Sequence, residues 1–180
     1  MIAFFVQVIM NQPEQILVKG LGKSAVIKLA ATAAKDEKLY QTLLGYINVD
    51  QSTRAAKAAW VLSHVSEVNH QFPLKYAEEL LDNLQRATVG GIQRELLKTL
   101  YPLKLPEKQY GKLIDLAFRF LSDRNTDVGV KYYATYILLE AQKLFPDLTN
   151  EFKFAMEETS SWHNEVWQRH VKKYLEKISG

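Results

Sequence analysis

The chain of 180 residues contains no cysteine. This excludes disulfides, thiolate metal ligands and cysteine nucleophiles, and it fits a reducing compartment, so a cytoplasmic location is expected. Low-complexity stretches are also missing, as is any apolar run long enough to cross a bilayer. The apolar N-terminal segment MIAFFVQVIM has neither a basic leader nor a small-residue cleavage site. It is therefore expected to pack over the first helices and not to act as a signal peptide. A large excess of one charge is missing too. The formal net charge is +3, mildly basic and compatible with an acidic partner. Apolar residues make up 47% of the chain, which places it among globular proteins able to bury a core.

The nucleophile and phosphate-loop motifs of common enzymes are absent. Gly90-Gly91 follows no strand pattern and lacks the Gly-Lys-Ser/Thr of a phosphate loop, so it is expected to be a tight turn. No serine lies in a nucleophile elbow. His163 and His170 stand seven apart beside Trp162 and Trp167, but two imidazoles fall short of the three or four ligands that zinc requires. His64 falls on an apolar stripe and reads as a core histidine, whereas His70 reads as exposed. The carboxylates Glu78, Glu79, Asp82, Glu157 and Glu158 lie among other charges on helices and read as solvated faces. No metal, cofactor or catalytic group is expected.

What is present is a period. Thr53, Gly90, Asp127 and Asn164 stand 37 residues apart, and each is a type favoured where a helix begins. Apolar stripes follow at i, i+4, i+7 and i+8. They run Ala56/Trp60/Ser63/His64, Gln93/Leu97/Leu100/Tyr101, Val130/Ala134/Ile137/Leu138 and Trp167/Val171/Tyr174/Leu175. Between them Pro73, Pro106 and Pro146 are expected to open partner helices, because proline suits the first helical turn. Their stripes are Tyr76/Leu80/Leu81/Leu84, Tyr110/Ile114/Ala117/Phe118/Leu121 and Leu148/Phe152/Ala155/Met156. Upstream, Ser24 can cap a helix through Ala34, and Asp36 another that buries Leu39, Leu43, Leu44 and Ile47. Pro13 can open a short helix ending near Lys19. A fixed period of this length signals stacked helical hairpins.

The segment LAFRFLSDRNTDVGVKYYATYILLEAQ resembles a HEAT repeat: a leucine-rich helix, an acidic loop from Asp123 to Asp127, then Val130-Lys131 with Ala134 and Leu138 following. The basic column recurs as Lys57, Arg94 and Lys131 and becomes Gln168 in the last unit. The acidic column that often accompanies it is replaced by Gln51, Thr88, Asn125 and Trp162. The tetratricopeptide pattern, with its shorter period, is not found. The resemblance implies an all-α, right-handed α-solenoid of about four HEAT-like hairpins forming one domain over 1–180, with degenerate cap helices in 1–35 and regular repeats in 36–180.

In such repeats the helix bearing the valine–basic pair lines the concave face. Basic residues outnumber acidic ones on those helices and the reverse holds on the proline-initiated helices. The resemblance therefore implies a non-enzymatic scaffold that binds an acidic protein or peptide on a mildly basic concave face. Arg54, Lys57, Arg94, Lys98 and Lys131 would supply charge there and Tyr132 contact area. Reversing Lys57, Arg94 and Lys131 to Glu is expected to abolish binding without unfolding the chain. The alternative is a nucleic-acid binder similar in architecture to the alkylpurine DNA glycosylases, although none of their catalytic residues is matched. No membrane partner is expected.

Overall fold

The computed structural model describes Leu17 and residues 22–179. Regular structure among the described residues consists of ten α-helices and one short 3-10 helix, with no strand. The chain divides into two compact units, Met1–Lys104 and Leu105–Gly180.

The first unit contains α1 (Lys23–Ala33), α2 (Glu37–Val49), α3 (Thr53–Val68), α4 (Gln71–Lys75), α5 (Ala77–Arg86) and α6 (Gly90–Leu100). Helices α2 and α3 form one hairpin, and α4–α5 with α6 form the next. Helix α3 packs against α1, α2 and α6 together. That central position explains why its expected stripe is displaced. The buried residues are Ala55, Ala58, Ala59, Val61, Leu62, Ser63, Val65 and Ser66, while Ala56, Trp60 and His64 are only half-buried. A helix wrapped on three sides has a wide buried arc, and the alanines let its neighbours approach closely. In α2 the buried face is Tyr40, Leu43, Leu44 and Ile47, with Leu39 half-buried.

The second unit contains α7 (Glu107–Ser122), α8 (Val128–Leu144), a 3-10 turn (Pro146–Leu148), α9 (Thr149–Thr159) and α10 (Glu165–Ser179). It too is two hairpins, α7/α8 and α9/α10, joined through α7 against α9. Here most of the periodic stripes is core, namely Val130, Ala134, Ile137 and Leu138 of α8, Phe152, Ala155 and Met156 of α9, and Trp167, Val171 and Tyr174 of α10, while Tyr110, Phe118, Leu148 and Leu175 are half-buried. Burying each large side chain stabilises the unit by roughly 1.5–3 kcal/mol. The Trp167 indole Nε1 donates to the Thr159 carbonyl at 3.0 Å, so its one polar atom is satisfied inside the core.

Helix starts follow the sequence closely, with local shifts. Asp36 accepts from the Lys38 and Leu39 amides, and Asn164 accepts from the Trp167 amide. Ser52, not Thr53, caps α3 through the Ala55 amide. Val89 precedes α6, which makes Gly90 its first helical residue. Gly22 stands before α1, with Ser24 inside its first turn. Pro106 sits one position before α7, and Pro146 opens the 3-10 turn that leads into α9. Pro73 lies third in α4 and does not open it. A proline is tolerated there because the first four helical amides have no intrahelical acceptor. The segment MIAFFVQVIM and the helix expected from Pro13 to Lys19 fall outside the described residues, apart from Leu17, which is helical and fully buried.

Candidate functional site

In the first unit, the helices α3 and α6 that carry the basic column pack side by side. All four cations expected to bind a partner from this unit are engaged within it. Arg54 pairs with Asp50 at 3.2 Å and lies over the Tyr46 ring, 4.9 Å from its centroid. The Ser52 hydroxyl and amide, followed by Arg54, hold the Asp50 carboxyl below its ordinary value. Lys57 donates to the Leu17 carbonyl at 2.7 Å. Lys98 pairs with Glu67 at 2.8 Å, and Glu67 also meets His64 Nδ1 at 2.8 Å. Burial raises the Glu67 carboxyl, but the bonds from Lys98 and His64 outweigh it and the net shift is downward.

Arg94 bonds Glu95 Oε1 through Nε at 3.1 Å and through Nη2 at 2.9 Å. The Ser63 hydroxyl donates to the other carboxylate oxygen at 2.7 Å. Glu95 is buried, a role that sequence reasoning did not single out. The signal was present: Ile92, Glu95, Leu96 and Thr99 share the apolar spacing of α6. Ser66 donates to the Thr99 carbonyl beside them, so α3 and α6 are joined by a buried polar seam.

Lys131, in the second unit, does not face a binding surface. It is fully buried, and its ammonium donates to the carbonyls of Phe120, Leu121 and Asp123 at 3.3, 2.6 and 2.7 Å. Phe120 and Leu121 lie in the last turn of α7, where helical carbonyls lack amide partners and the helix dipole is negative; the Asp123 carbonyl also accepts from the Thr126 amide at 3.1 Å. The Trp162 ring covers the ammonium from 5.0 Å. Burial pushes the Lys131 amine down to about 8, against the pull of Asp123. The assignment of Lys131 to a ligand-facing column is therefore corrected to a structural one. Of the expected basic column, Lys57 holds a carbonyl, Arg94 a buried carboxylate and Lys131 a helix end.

Tyr132 is half-buried and belongs to a ring cluster. Its ring meets Trp167 at 5.6 Å and His170 at 4.2 Å, edge to face. His170 also lies flat on Trp167 at 5.2 Å and touches Tyr174 at 4.4 Å and Tyr136 at 6.2 Å. Burial, with Lys173 and Lys177 nearby, pushes the His170 imidazole down to about 4, and its buried Nε2 has no hydrogen-bond partner. His163 packs on Trp167 at 6.0 Å. Burial, then Lys131 and Arg124, lower it as well. His64 and His70 are half-buried and exposed respectively. Among the described residues no three His, Asp or Glu side chains converge as metal ligands, and no helix is long and apolar enough to cross a membrane.

Helices α9 and α10 enclose an open groove of about 480 Å³. Half-buried Leu175 supplies apolar surface over the buried Val171, with Lys153 and Glu157 on one wall and Lys172 and Glu176 on the other. Phe154 of α9 is 67% exposed.

A family model described as a HEAT repeat domain matches residues 14–177. Comparisons with curated proteins and with solved structures return no match.

Proposed function

We propose that this chain, which belongs to the HEAT repeat domain family, is a non-enzymatic scaffold that binds a protein segment in the groove between α9 and α10. HEAT repeats generally serve as protein-interaction scaffolds. The observation that carries the reading to a site is the groove itself. Apolar Leu175, seated on the buried Val171, lies between two walls, each bearing a lysine and a glutamate four residues apart. Apolar surface removed from water supplies the affinity, at roughly 25 cal/mol per Å². Charges of both signs at the rim select the register. The preferred partner is thus a peptide with an apolar anchor flanked by charges of both signs, not an acidic tract. Of the cations that would have recognised an acidic tract on α3 and α6, Arg54, Arg94 and Lys98 are paired with carboxylates and Lys57 is held by a backbone carbonyl.

Selection of peptides from a random display library against the whole chain tests this reading. The expected consensus is an apolar anchor with charged flanks. Leu175→Arg should weaken the recovered peptides at least about tenfold, the loss of one well-buried anchor contact. Lys98→Glu, in the other unit, should leave them unchanged. Peptides that bind both variants equally would place the partner elsewhere and sink the groove assignment.

A further inference from the structure

We propose that the face shared by α8 and α10 binds single-stranded nucleic acid, a capacity beyond the scaffold reading and on the opposite side of α10 from the groove. With 100° between successive helical residues, His170, Lys173 and Lys177 form one stripe. Gln168, Lys172 and Leu175, which line the groove, form another, about half a turn away. Against the first stripe lie rings from α8. Tyr132 and Tyr136 meet His170 edge to face, Tyr136 reaches Tyr174 at 6.0 Å, and Tyr133 extends the row through Tyr136 at 5.9 Å. Tyr132, Tyr133, Tyr136 and His170 are all half-buried, so packing fixes the rings while part of each meets solvent.

Lys173 and Lys177 are exposed, one turn apart, and sit close enough to lower the His170 titration. Lys177 lies over the Tyr174 ring at 5.0 Å. Neither lysine has a carboxylate partner among the described residues. Of the acids on α8 and α10, Glu140 pairs with Lys143 at 2.6 Å and Glu176 lines the groove. Fixed aromatic surface beside uncompensated amines is the chemistry that holds a single strand, with bases against rings and phosphates against ammonium groups. A duplex hides its base faces and gains only the charge term. An acidic peptide likewise uses the amines and leaves the rings idle. The neutral imidazole keeps the charge of this face on the lysines.

Fluorescence anisotropy of labelled twelve-nucleotide dT and U strands with the whole chain, at about 50 and about 200 mM salt, tests the proposal. Binding is expected at low salt and should weaken steeply at high salt. Lys173→Glu with Lys177→Glu should weaken it at least about tenfold and lower the log–log salt slope by about 0.7 for each phosphate contact removed. Tyr136→Leu keeps an apolar side chain in place. It should cost about fivefold or more, the loss of one stacked base, with the slope unchanged. Leu175→Arg, which tests the groove, should leave strand binding intact, so the two readings fail separately. Four results would overturn the proposal: no binding at low salt, binding indifferent to the lysine pair, duplex bound as tightly as single strand, or displacement by polyglutamate at equal charge.

Discussion

The helices that carry the basic column behave differently in the two units. On α3 and α6 charge is spent internally: Arg54 on Asp50, Arg94 on Glu95, Lys98 on Glu67, and Lys57 on a backbone carbonyl. On α8 and α10 the column residue Lys131 is buried, while Lys173 and Lys177, outside the column, stand exposed next to half-buried rings. Lys57, Arg94 and Lys131 thus hold one repeat position and have three fates. A repeat position fixes where a side chain starts, but the acceptors within its reach decide what it does. Where carboxylates are near, a surface pair forms. Where a helix ends, the cation turns inward. Where neither is available, charge stays in solvent and can meet a ligand.

The largest expected effect tests the inward-turned cation. Lys131→Met removes the donor to the Phe120 and Leu121 carbonyls at the end of α7, while the Asp123 carbonyl keeps the Thr126 amide. Leaving buried acceptors unpaired costs about 1–3 kcal/mol each before relaxation, so a net loss on the order of 3 kcal/mol is expected in urea unfolding. Lys57→Met, with one carbonyl at stake, should cost about 1 kcal/mol. Lys131→Glu should unfold the second unit by setting a carboxylate against carbonyls. This corrects the expectation that reversing Lys57, Arg94 and Lys131 together spares the fold. Equal losses for the two Met variants would erase the distinction between the units.

That correction marks where the sequence was legible. The hairpins were, because apolar stripes at helical spacing have one stable use: burial against a neighbour. So were Asp36 and Asn164, whose short oxygen-bearing side chains serve helix starts. The α3 stripe was misplaced because three helices surround it, and periodicity registers only a single face. Lys131 was misassigned although it shares helical spacing with Ala134, Thr135 and Leu138. Its acceptors are backbone carbonyls, which every residue possesses and no sequence pattern marks. The pairing of Glu95 with Ser63 and of Glu67 with Lys98 depends on the register between α3 and α6, which exists only after packing. The ring cluster was half legible: Tyr132 was singled out, but its partners on α10 became visible only in the fold.

A smaller effect separates the two units by pH. His64 of the first unit meets the Glu67 carboxylate, whereas His170 of the second meets rings and two ammonium groups. With the folded value of His170 near 4 and an unfolded value near 6.5, the unfolded chain binds the extra proton first between those limits. Stability therefore falls as the pH drops from about 6.5 to about 4. His163 acts in the same direction. The lowered carboxyls Glu37, Asp50 and Glu67 withdraw their stabilisation only as the pH falls from the ordinary carboxyl range toward their depressed values. Thermal midpoints across this range should fall more shallowly for His170→Phe, which keeps a ring and loses the proton site. An acid limb identical to that of the parent chain would assign it to the carboxylates alone.

The smallest expected effect tests the paired surface of the first unit. The Lys98 and Glu67 side chains are 24% and 50% exposed, so water screens their attraction and ordering two long side chains offsets much of it. Lys98→Gln should change stability by no more than about 0.5 kcal/mol, and a double-mutant cycle with Glu67→Gln should give a coupling below about 1 kcal/mol. The buried seam under this pair, from Ser63 through Glu95 and from Ser66 to Thr99, would then hold α3 to α6, with the surface pairs serving mainly to cancel charge. A coupling above about 2 kcal/mol would reverse that order. The cations of the first unit would then be structural in the way Lys131 is, and the contrast between the units would lie in exposure alone.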